Sequence, residues 1–85
     1  MLIEYSPRLI KTIGKIRDQA LKERVKKMIE RIIDVPEIGK PMRYQRKGTR
    51  EVYIPPFRFA YSYLPSENRI IFLALYHKDK QSTYA

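Results

Sequence analysis

Phe57-Arg58-Phe59-Ala60-Tyr61-Ser62-Tyr63 decides how the chain is read. A period of two places Phe57, Phe59, Tyr61 and Tyr63 on one face of a strand and Arg58, Ala60 and Ser62 on the other. Four rings in a row predict the buried face of a sheet. The opposite face holds small residues and one cation, so Arg58 is either a solvated surface charge or a group placed for an anion.

Before this stretch, Arg50-Glu51-Val52-Tyr53-Ile54 alternates with Val52 and Ile54 inward. Pro55-Pro56 closes it; neither proline can donate to a ladder, which marks a turn or an edge. After it, Leu64 to Arg69 is a polar turn of hairpin length. Ile70 to Tyr76 is apolar at every position, the pattern of a strand inside a sheet and covered on both faces.

Near the N-terminus Leu2 to Tyr5 reads as a short strand, and Ser6-Pro7 supplies a helix cap followed by proline at the first helical position. Leu9, Ile10, Ile13 and Ile16 form the apolar stripe of a first helix that Gly14 weakens. Asp18 caps a second helix, whose stripe is Leu21, Val25, Met28, Ile29, Ile32 and Ile33 and which ends before Pro36. Neither helix is long enough to be stable alone, so both must pack on the sheet. The prolines and glycine of Pro36 to Pro41 predict an irregular loop. The order β-α-α-β-β-β predicts an α+β fold: a small, mainly antiparallel sheet with a helical hairpin on one face. The 85 residues suit one domain, 1–85, with residues 76–85 as a short functional tail.

The net charge is +9, which points to a polyanionic partner, although such a charge also keeps a small protein soluble. Residues 1–50 carry 14 basic and 6 acidic side chains, and residues 51–85 only 4 and 3, so the excess is N-terminal. Lys40, Arg43, Arg46, Lys47 and Arg50 form the densest block and include no acid between them. On the second helix Lys22, Arg24, Lys26, Lys27 and Arg31 alternate with Glu23 and Glu30, the pattern of a solvated face with i,i+4 support. A membrane-surface role competes for an apolar stripe that the core needs. The absence of cysteine fits a reducing compartment, the apolar runs fall short of a bilayer span, and no signal-peptide pattern opens the chain; the expectation is a soluble, cytoplasmic protein.

One histidine and no cysteine leave no metal-ligand pattern, and the three glycines form neither a phosphate loop nor a nucleophile elbow. Neither a metal nor a cofactor is expected. What remains is cationic and phenolic: Arg50, Arg58, His77, Lys78 and Tyr84, expected to converge on one sheet face if their strands are neighbours. Cations that stabilise a phosphoryl transition state, with His or Tyr moving protons, suit phosphoryl chemistry. Each residue also has a plain reading. His77 closes a strand, Arg58 pairs with Glu51 across the hairpin, and Tyr84 belongs to a frayed terminus.

The ordered set Ile3-Glu4-Tyr5-Ser6, the hairpin ending at Pro36 to Arg43, Lys47-Gly48-Thr49-Arg50, Phe57 to Tyr61 and Leu73 to Asp79 resembles the RelE/ParE superfamily of bacterial and archaeal toxins, especially its RelE branch. The resemblance covers nearly the whole chain. It implies a toxin of a type II toxin-antitoxin system, a metal-independent endoribonuclease that cuts messenger RNA on the ribosome through attack of the 2′-hydroxyl on the adjacent phosphate. It assigns the scissile phosphate to Arg58, a basic position on the preceding strand to Arg50, and an acid to His77. Lys78 stands where relatives carry arginine, and Tyr84 where they carry a functional tyrosine. Lys40, Arg43, Arg46 and Lys47 become candidates for RNA or ribosome binding, and a small RelB-like antitoxin becomes the partner. Val52 stands where a second basic residue is usual, and Pro55-Pro56 replaces a glycine-containing turn. Lysine at position 78 lacks the bidentate fork of arginine. These departures point toward the ParE branch, non-nuclease poisons of DNA gyrase, or toward a weakened RNA-binding module.

Overall fold

A computed structural model describes residues 1–43 and 48–79. The strands are β1 (Leu2–Tyr5), β2 (Lys40–Pro41), β3 (Thr49–Ile54), β4 (Phe57–Leu64) and β5 (Arg69–His77), and the helices are α1 (Pro7–Gly14) and α2 (Gln19–Asp34). The predicted caps are in place. Ser6 Oγ accepts the Leu9 N–H at 3.0 Å, and Asp18 Oδ1 accepts from Ala20 and Leu21. Each cap contributes about 1 kcal/mol.

Leu21, Val25 and Ile32 are buried along α2, with Met28, Ile29 and Ile33 half-buried beside them. On α1, Leu9 is fully buried and Ile13 packs against the same core, whereas Ile10, expected on the stripe, is 60% exposed. Leu9 and Ile13 stand four residues apart on one face; Ile10 lies about a quarter turn round it, beyond the reach of a single short contact line. Among the described residues no helix is long and apolar enough to cross a membrane.

The sheet order is β1-β5-β4-β3-β2, with β1 parallel to β5 and the other pairs antiparallel. The all-apolar β5 is therefore flanked on both sides, as its composition required. The segment expected to be irregular is partly ordered: Pro36–Ile38 makes a 3-10 turn, and Lys40–Pro41 adds a two-residue edge strand against Glu51 and Arg50. That pairing is open to a proline because only one edge of β2 needs a partner.

One irregularity sets the faces of β5. Ala60 pairs with Ala74 but Tyr61 pairs with Phe72, so Leu73 is an extra residue and the alternation flips across it. Ile70 and Phe72 face the helices before the bulge, and Leu75 faces them after it, all within one core cluster. The helix-covered face thus reads Tyr5, Phe72, Tyr61 and Arg50 in one row, Leu75, Phe59 and Val52 in the next, and His77, Phe57 and Ile54 in the last. Phe59 and Phe72 stack with centroids 5.6 Å apart and are both fully buried. The opposite face reads Ala74, Ala60, Glu51 and Lys40 in one row and Tyr76, Arg58 and Tyr53 in the next. Its middle is less bare than alternation alone suggests: Ala60, Ala74 and Tyr76 are buried, with Met42 and Leu73 packed against them.

Candidate functional site

The open face gathers three polar side chains that the strand ladder makes neighbours. Arg58 Nη1 donates to Glu51 Oε1 at 2.8 Å, and the Tyr76 hydroxyl donates to the other oxygen, Oε2. Glu51 is thereby held on both oxygens, with only 15% of its side chain exposed. Arg58 is 35% exposed, its guanidinium lies over the Tyr53 ring at 5.7 Å, and its Nε is buried without a partner. A buried, unmatched donor on an arginine is a reason to look for an anion. Lys40, exposed on β2, pairs with Glu51 and adds a cation to the same row.

The expected convergence of Arg50, Arg58 and His77 on one face does not occur. Arg50 has the same parity as Val52 and Ile54, pairs with Tyr61 and lies on the helix-covered face. There its Nη1 donates to the carbonyls of Gly39 (2.7 Å) and Glu37 (3.2 Å). Tyr61 completes this anchor: its hydroxyl accepts from Gly39 N–H at 2.9 Å and donates to the Pro36 carbonyl at 2.7 Å. The approach is so close that a Cβ at Gly39 would lie 2.6 Å from that hydroxyl. Burial raises the Tyr61 pKa, while the Gly39 N–H and the Arg50 charge pull it back.

His77 is on the helix-covered face because the Leu73 bulge reverses the parity of everything after it. Its ring meets Phe57 edge-on at 5.7 Å, and its Nδ1 accepts the Asp79 N–H at 3.2 Å. Lys78 is exposed just beyond the strand, its backbone N–H on the Pro56 carbonyl. Arg43 is exposed after β2. Arg46, Lys47 and Tyr84 lie outside the described residues. The pairing of Arg58 with Glu51 across the hairpin is the one that the sequence offered as the plain reading of Arg58. The same bulge brings Tyr76 to the open face, so Tyr76 is the partner of Glu51 that strict alternation along β5 hides. Among the described residues no group of three or more His, Cys, Asp or Glu side chains is placed to hold a metal ion.

The fold is that of known toxins. The isolated RelE toxin of E. coli superposes with a TM-score of 0.77 at 13% identity, over 98% of this chain and 89% of that one. A YoeB/ParE toxin from Agrobacterium tumefaciens gives 0.78 at 15% identity, over 91% and 98%. The RelBE2 toxin-antitoxin complex from Mycobacterium tuberculosis gives 0.73 at 18%, over 91% and 96%. No curated protein sequence matches the chain significantly. The sequence profile of the ParE toxin of type II toxin-antitoxin systems, parDE, matches residues 3–81, and the chain belongs to that family, within the RelE/ParE superfamily.

Proposed function

We propose that this toxin blocks translation by cutting messenger RNA on the ribosome, without a metal, and that a small antitoxin of RelB type neutralises it. The observation that carries the reading is the cluster of Arg58, Glu51 and Tyr76 on the open face. Glu51 takes the proton of a 2′-hydroxyl, the 2′-oxygen bonds to the adjacent phosphorus, and the bond to the 5′-oxygen breaks. Arg58, whose side chain is partly exposed, offsets the charge that builds on the phosphoryl oxygens with the guanidinium N–H groups that Glu51 does not take. Tyr76 fixes the carboxylate's orientation. Lys78 and, outside the described residues, Tyr84 are the candidates to protonate the leaving 5′-oxygen. Lys40 and Arg43, with Arg46 and Lys47, are the candidates to hold RNA or the ribosome, which would make the cytoplasm the place of action.

Toeprinting on translating ribosomes tests this with wild type, Arg58→Ala and Glu51→Gln. Cleavage by the wild type alone is expected. Equal cleavage by all three, or none by the wild type, refutes it. Co-expression with the product of an adjacent small acidic reading frame is expected to raise the yield of soluble toxin, and an unchanged yield argues against that partner.

A second reading is a ParE-type poison of DNA gyrase that binds without cleaving. It is favoured by Arg50 and His77 facing the helices, which leaves Arg58 on the open face without either of them. Inhibition of gyrase supercoiling at micromolar toxin, with intact messenger RNA, is the outcome that selects it.

A further inference from the structure

The charged residues of α2 alternate in sequence, and they line grooves on two sides of the helix. Glu30 lies with Lys22 and Lys26 in a groove of about 490 Å³ on the Tyr5 side of the helix. On the opposite side, a groove of about 290 Å³ runs between α2 and the β3–β4 turn, lined by Arg24, Lys27 and Arg31 with Met28, Tyr53 and Pro55 and, among the described residues, by no acid. The three cations stand at i, i+3 and i+7, so they form one stripe roughly 10 Å long on the helix. Arg24 is fixed by donation to the Pro55 carbonyl at 2.6 Å, which pins the stripe to the turn.

Tyr53 is the ridge of this groove. It is 49% exposed near the end of β3, a large aromatic surface held out toward solvent. Its ring also borders the neighbouring groove of Lys40, Glu51 and Arg58, where Arg58 stands over it at 5.7 Å. An aromatic ring stiffened by one guanidinium and bordered by three further cations is what a stacked base between two phosphates requires. An acidic peptide would use the cations but gain little from the ring.

We propose that the groove between α2 and the β3–β4 turn binds single-stranded nucleic acid, with one base stacked on Tyr53 and the flanking phosphates on Arg24, Lys27 and Arg31. This site is separate from the Lys40 to Arg50 block and does not depend on cleavage at the Arg58 cluster.

Fluorescence anisotropy with a labelled oligouridylate, measured as a function of salt, tests it on the full chain, with circular dichroism melts to establish that each variant is folded. Tyr53→Leu is expected to weaken binding about tenfold, and Tyr53→Phe, which keeps the ring, to bind as the wild type does. Lys27→Gln combined with Arg31→Gln is expected to make the slope of log K against log salt shallower by about 1.4. Wild-type affinity in Tyr53→Leu, an unchanged slope in the double variant, or no binding by the wild type overturns the proposal. So does displacement of the oligonucleotide by polyglutamate that depends on Lys27 and Arg31 but not on Tyr53, which would assign the groove to an acidic protein segment.

Discussion

On each face of the sheet an arginine and a tyrosine are tied to a common acceptor region, and the two sets differ in what they hold. On the helix-covered face Arg50 and Tyr61 bind backbone carbonyls and an N–H of the Pro36 to Gly39 turn. On the open face Arg58 and Tyr76 bind a carboxylate, Glu51. Backbone groups cannot leave, so the first set is a staple for the loop between α2 and β2. Arg58 can exchange the carboxylate for a phosphate, and the carboxylate can accept a proton, so the second set is suited to chemistry. On the proposed function, similar residue types in mirrored places divide into structure and chemistry by the nature of their acceptor.

The sharpest way to break this division is to remove charge on the open face. Glu51→Gln keeps the shape and one acceptor but not the base, and messenger-RNA cleavage is expected to fall by about 100-fold or more. Arg58→Ala is expected to cost about 100-fold by the same readout, because one preorganised donor to the phosphoryl oxygens is lost. If Glu51→Gln instead cleaves faster, the carboxylate masks Arg58 and is not the base, and the chemistry of the open face rests on the arginine.

The converse test removes the staple. Tyr61→Phe leaves the Gly39 N–H and the Pro36 carbonyl without their partner in a buried setting, at a cost of about 2 kcal/mol. For a chain of this length that is a fall in the thermal midpoint of roughly 10 °C, with cleavage per folded molecule unchanged. Arg50→Met keeps the aliphatic stem but drops both carbonyl contacts, and the expected loss is smaller, about 1 kcal/mol. A large loss of cleavage at full stability in Arg50→Met would move Arg50 into the active set and erase the contrast between the faces.

Most of the fold was legible because local signals agreed with one another. Ser6 and Asp18 cap the helices they precede, the α2 stripe is the buried one, and a strand apolar throughout is flanked on both sides. The site was legible only in part. Arg58 could be placed outward from the rings around it, and by the same rule Arg50 was readable as inward, since it shares parity with Val52 and Ile54. His77 and Tyr76 were not readable. Their faces depend on one inserted residue, Leu73, and in an unbroken apolar run no side chain marks where the alternation slips. The short strand at Lys40–Pro41 was hidden for a different reason: it is defined by its partner in β3, not by its own sequence.

The least costly test of the staple uses pH alone. Burial holds the Tyr61 hydroxyl above its ordinary pKa of 10.0. A group whose folded pKa is raised contributes fully below its unfolded value and loses its contribution as pH climbs past it. From about pH 10 upward the unfolded chain releases a proton that the folded chain keeps, so stability falls. Tyr61→Phe has no such proton, and the stability gap between it and the wild type is expected to narrow from the ordinary tyrosine pKa upward, followed by denaturant midpoints. In Arg50→Met the fall is expected to steepen, because the charge that eases ionisation of Tyr61 is gone. A gap that stays constant would mean that Tyr61 titrates alike in both states, and its hydroxyl would then hold the turn no more tightly than water does.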